Sequence, residues 1–156
     1  MQRLMKIRFA VLVVATPLMF AGQSSPTSDR ATIVAFAEKA GVRALNFRQG
    51  DAEGLTRSRN DFSDAGWKDF MRTMQGFLDE KGAPTFTSSF LASGGATVVN
   101  DESGVVRLKI PGTLTQSNHI GKSTYRVVLQ IVAGGDPVRI QKLEPIMCVG
   151  AAKACE

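Results

Sequence analysis

Between residues 105 and 141, apolar and polar side chains exchange places at almost every step. Val106, Leu108 and Ile110 alternate with Arg107 and Lys109. Tyr125, Val127, Leu129 and Ile131 alternate with Thr124, Arg126, Val128 and Gln130, and Val138 and Ile140 with Arg139 and Gln141. A period of two residues is that of a strand with one face buried and the other in solvent. The turn sequences DESG, SNHIGK and AGGDP separate these runs, so they read as an antiparallel meander. Two shorter strands precede them, one over Thr85–Ala92 with Phe86, Ser88 and Phe90 on one side, the other over Ala96–Asn100. Pro111-Gly112 predicts a bulge or bend before Leu114.

An apolar sheet face needs a cover, and the earlier part of the chain supplies helices. Asp29 can cap a helix from about residue 30, with Ile33, Phe36, Ala37, Ala40, Ala44 and Phe47 at its period and Gly41 as a weak point. RQGDAEG is a break, and residues 55–62 form a short second helix or an extended linker. The next helix has the strongest signals. Ser63 is an N-cap, Asp64 suits the positive helix end, and Phe62 and Trp67 can form a hydrophobic staple. Trp67, Phe70, Met71, Met74, Phe77 and Leu78 fall on one stripe, and Gly82 and Pro84 are stop signals. Helices first and strands afterwards make the chain α+β, with the N-terminal helices packed on one face of a curved antiparallel sheet.

The 156 residues and 44% hydrophobic content suit one packed domain. Of the 19 basic residues, Arg3, Lys6 and Arg8 stand ahead of an apolar run, and the remainder nearly balance the 14 acids. The net charge of +5 therefore does not point to nucleic acid, and no basic stripe with interleaved aromatics appears. FAVLVVATPLMFAG, residues 9–22, is shorter than the roughly 20 residues of a membrane span and suits the core of an export signal. Residues 1–24 are thus expected to be a signal peptide or short signal anchor, with 25–29 a linker. The protein is placed in the periplasm, soluble after cleavage or anchored in the inner membrane.

Cys148 and Cys155 are the only cysteines. In an exported protein two nearby thiols favour a disulfide, which in so small a loop would contribute about 2.5 kcal/mol. A metal or redox pair is the alternative. It lacks further ligands, because His119 is the only histidine and there is no CxxC.

Two blocks carry a resemblance. One is NFRQGDAEGLTRSRNDFSDAGWKDFMRTM, an aromatic-polar lead into a Phe-Ser-x-x-Gly-Trp helix start. The other is VVRLKIPGTLTQSN followed by STYRVVLQIVAGGDPVRIQKLE. In this order and spacing they resemble the periplasmic domain of the DotI/IcmL family of type IVB secretion and conjugation systems. The resemblance covers about residues 30–147 and leaves 148–156 as a tail. It implies an NTF2-like α+β fold and a non-enzymatic assembly subunit without cofactor or metal. The implied partners are other subunits of the apparatus or a second copy.

NTF2-like folds also host small-molecule binders and isomerase- or dehydratase-type enzymes, which need a polar group deep between helix and sheet. Tyr125 is on the inward register, but the strand positions beside it are Val, Leu and Ile. His119 lies in a turn, and Asp61 and Asp64 flank a helix start, where capping explains them. No GxSxG, HExxH or phosphate-binding glycine loop is present. The expected interaction surface is the outward strand register: Arg107, Lys109, Arg126, Gln130, Arg139 and Gln141.

Overall fold

A computed structural model describes residues 29–102, 104–149 and 155, with only the backbone of residues 101 and 102. The expected leader, residues 1–24, lies outside the described residues.

The sheet is built on one long hairpin. β3 (Val105–Ser117) and β4 (Lys122–Gly134) pair without a register shift from Val105↔Gly134 to Ser117↔Lys122. β5 (Arg139–Met147) lines the other edge of β4. β1 (Thr87–Ala92) and β2 (Thr97–Glu102) share the remaining edge of β3, β2 along Val105–Lys109 and β1 along Gly112–Ser117. All pairings are antiparallel, as the alternation predicts.

Pro111-Gly112 does not form the expected bulge. Its strand continues without a register shift, paired with Val128 and Val127. Pro111 stands where β3 changes partner from β2 to β1. Its carbonyl accepts from Ser93 N at 2.9 Å on that side. A strand residue points its N and C=O to the same edge, so the N–H that proline lacks falls at this junction, outside the β3–β4 ladder. Gly112 leaves room for Phe90, because a Cβ there would stand 2.4 Å from that ring. The irregularities lie elsewhere, at Val99 in β2 and at Gln141 in β5.

Helix α1 (Arg30–Ala44) crosses the apolar side of the sheet over β3, β4 and β5. The Asp29 side chain accepts from Thr32 N at 2.7 Å and caps it. That backbone bond also holds the Asp29 carboxyl below its ordinary pKa. The buried stripe of α1 is made of Ile33, Ala37, Ala40, Gly41 and Ala44. Small residues let the helix sit close to the sheet. A Cβ on Gly41 would be 2.3 Å from Ile131 Cδ1, so the glycine that weakens the helical signal is the point of nearest approach. Phe47 lies beyond the helix, where it exchanges both backbone hydrogen bonds with Ser88, each 3.0 Å.

A short helix α2 (Ala52–Arg57) and a 3₁₀ turn (Ser58–Asp61) lead to α3 (Asp64–Met74), which packs on β5. Ser63 caps α3 through Gly66 N at 3.1 Å, and the staple is present, with the Phe62 and Trp67 rings 5.5 Å apart. The helix is shorter than its apolar stripe. It ends at Met74, and Gln75–Phe77 form a 3₁₀ turn. Phe70 and Met74 are buried, Trp67 and Met71 are half-buried, and Phe77 is exposed but meets the Phe86 ring edge-on at 5.4 Å. Gly82 is therefore not the helix stop. With φ +76° it belongs to a turn organised by Asp79, whose carboxylate accepts from Lys81 N and Ala83 N.

Asp61 is not a cap either. It is buried and bound by Arg43 of α1 through Nε at 3.0 Å and Nη2 at 2.5 Å. The pair ties α1 to the segment before α3.

Four substitutions probe this arrangement. Gly41→Val should destabilise by about 1–3 kcal/mol through overpacking. Phe70→Ala should cost about 3–5 kcal/mol, and half-buried Trp67→Ala less. His119→Ala, in the exposed β3–β4 turn, should stay within about 0.5 kcal/mol. Urea denaturation would rank them; a His119→Ala loss equal to that of Phe70→Ala contradicts the arrangement.

Candidate functional site

Residues paired across a ladder project to the same side of the sheet. The side under α1 and α3 carries Val106, Leu108, Ile110, Leu129, Ile131, Ala133 and Ile140, all at 0% exposure. The helix–sheet interface is therefore filled with hydrocarbon. The other side is the outer face, and its rows follow from the register. Arg107 lies opposite Val132 and, beyond it, Lys142. Lys109, Gln130 and Glu144 form the next row, then Pro111, Val128 and Ile146, then Thr113 and Arg126 with Cys148.

The structure thus brings Arg107, Lys109, Arg126 and Gln130 together on one face. Arg139 projects to the same side, in the row of Gly134 and Val105 next to that of Arg107. It borders a depression with Arg59, Ser63 and Asp64. Gln141 is the extra residue of the β5 bulge, which sets Lys142 in the row with Arg107. Lys142 and Glu144 are the outer-face charges that simple alternation misses, because the bulge reverses the register after Ile140. They pair at 2.9 Å, and this hydrogen bond raises the Lys142 pKa. Among the described residues, no ion pair engages Arg107, Lys109 or Arg126.

Tyr125 is the residue of the inward register that small-molecule chemistry would call on. This residue is half-buried on the wall of an open groove of about 340 Å³, formed with Phe77, Phe86, Gln116, Asn118 and Lys122. No carboxylate or imidazole lines that groove. His119 is exposed in the adjacent turn, where the neighbouring Asn118 side chain accepts from Ile120 N and Gly121 N. Asp64 pairs with Arg59. Among the described residues, no group of His, Cys, Asp and Glu could hold a metal ion.

Cys148 and Cys155 are joined by a disulfide, with Cα atoms 5.8 Å apart. Cys148 N donates to Arg126 O at 2.8 Å and extends the β4–β5 ladder by one residue. Among the described residues, no helix is long and apolar enough to cross a membrane.

No family model matches this chain, and no curated protein is similar to it in sequence. Solved structures share its fold. An IcmL-like type IV secretion system protein from Legionella pneumophila superposes with TM-score 0.65 at 14% identity, over 80% of this chain and 97% of that one. The periplasmic domain of DotI gives 0.63 at 12% identity, over 75% and 94%. A periplasmic fragment of TraM gives 0.59 at 13%, over 78% and 99%. The α+β fold is that of the IcmL-like type IV secretion system protein, of the periplasmic domain of DotI and of the periplasmic fragment of TraM. The resemblance drawn from the two sequence blocks holds as a likeness of fold to the IcmL-like protein and DotI.

Intact-mass analysis checks the bridge directly. The native protein should resist alkylation until reduced and then take up two labels. Two thiols alkylated without reductant would contradict the pairing.

Proposed function

We propose that this chain is a DotI/IcmL-type subunit of a type IV secretion or conjugation apparatus, working in the periplasm through protein–protein contacts and not through catalysis. The observation that carries the reading is the near-complete coverage of three secretion-system periplasmic domains by this fold. The filled helix–sheet interface agrees with it, because the interior offers no place for a substrate to meet a polar group. A disulfide suits the oxidising periplasm, as does the leader expected at residues 1–24, whether cleaved or kept as an inner-membrane anchor.

The docking surface in this reading is the outer sheet face around Arg107, Lys109, Arg126 and Gln130. Three cations that have no ion-pair partner among the described residues suit an acidic patch on another subunit of the apparatus or on a second copy. Such charges tune recognition and association rate more than raw affinity.

In the native host, deletion of the gene should reduce protein or DNA transfer, and the wild-type chain should restore it. The triple charge reversal Arg107→Glu, Lys109→Glu, Arg126→Glu should fold, yet fail to restore transfer or to co-purify with the apparatus. Full transfer after deletion would refute the secretion role. Full rescue by the folded triple variant would remove this face as the docking surface.

A further inference from the structure

Val128 is an anomaly of the outer face. It is paired between Pro111 and Ile146 on the side turned away from the helices, yet only 4% of it is exposed, against 2% for its inward neighbour Val127. The face as a whole is not covered. Leu91 lies one row away on the same side, opposite Thr113, and is 75% exposed. The β1–β2 turn reaches the Pro111 end of this row, where a Cβ on Gly94 would stand 3.4 Å from Pro111 Cγ, which leaves the β5 side of Val128 to account for. Cys148 is in that place. Its hydrogen bond to Arg126 O sets it opposite Arg126, one row from Val128 and two residues beyond Ile146. The disulfide then carries Cys155 to the same spot, with its Cα 5.8 Å from that of Cys148. Cys155 itself is partly buried.

From this placement we infer that the occupant of the apolar row Pro111–Val128–Ile146 is the chain's own C-terminal end, returned to the outer face by Cys155. The bridge would then do more than close a small loop. It would shield an apolar strip in the middle of an otherwise polar sheet face, and leave the basic rows at Arg107 and Lys109 open beside it. An uncovered strip of this kind on an open sheet invites non-specific association. The inference does not depend on the secretion role, and its test needs no partner.

Hydroxyl-radical footprinting read by mass spectrometry reports side-chain exposure residue by residue. In the oxidised wild-type protein, Val128 should be as protected as Leu129 and Ile131, which face the helices. Cys155→Ser, and a chain ending at Val149, should each raise labelling of Val128 and Ile146 several-fold while Leu129 and Ile131 stay protected. Those two interior residues serve as the check that each variant is folded, and the two variants lose the tail contact by different routes. Unchanged protection of Val128 in a folded variant would overturn the proposal, since its sheet neighbours alone would then bury it. Strong labelling of Val128 in the oxidised wild type would overturn it as well.

Discussion

The thirteen consecutive pairs between β3 and β4 place every other element. A ladder of that length without a register shift leaves one apolar face, and its rows decide where helices can lie. The cost of a slip is large, because moving either strand by one residue would turn Val106, Leu108, Ile110, Leu129 and Ile131 toward solvent and Arg107 and Lys109 toward α1. Full burial of each such aliphatic side chain contributes about 1.5–3 kcal/mol, so register and fold are one choice. Pro111 fits this ladder only because its missing donor falls at the gap between β1 and β2.

Two close approaches then fix the helices on that face. α1 comes down at Gly41, against Ile131. α3 is positioned by backbone as much as by side chains. The bulge at Gln141 turns the Ile140 carbonyl toward the start of α3, where Ser63 N donates to it at 2.9 Å. Gly66 lies over the same carbonyls, and a Cβ there would meet Ile140 O at 2.5 Å. The Phe-Ser-x-x-Gly-Trp sequence thus has a division of labour. Phe62 and Trp67 staple the helix, Ser63 caps it and anchors it to β5, and Gly66 permits the contact.

What the sequence made legible follows its physical periods. Period-two alternation placed the strands and their buried faces, and the cap and staple residues marked where α3 begins. Features set by neighbours distant in sequence were not legible. Gln141 has no local mark of a bulge, so simple alternation passes over Lys142 and Glu144, which the shifted register sets on the outer face. Asp61 next to an N-cap looks like a capping residue, and only the fold reveals Arg43 beside it. The stripe from Trp67 to Leu78 runs on past Met74, because Phe77 is apolar for the sake of Phe86, outside the helix. The signal peptide or short signal anchor expected at residues 1–24 lies outside the described residues.

The filled interior also bears on where function can reside. A helix-on-sheet fold can place its chemistry in the layer between the two, or it can complete that layer with hydrocarbon and present only its surface. Here Tyr125 is the only tyrosine, and it opens sideways into a groove lined by Lys122 and by no carboxylate or imidazole. Among the charged residues, Arg43 and Asp61 hold the fold together, while Arg107, Lys109 and Arg126 stand on the outer face. That face is graded: cations at Arg107 and Lys109, an ion pair at Lys142 and Glu144, and a shielded apolar row at Val128 beside the disulfide. In the assembly role proposed above, a face with open cations and a covered apolar strip would select partners by charge before committing hydrophobic area, the order that reversible recognition calls for.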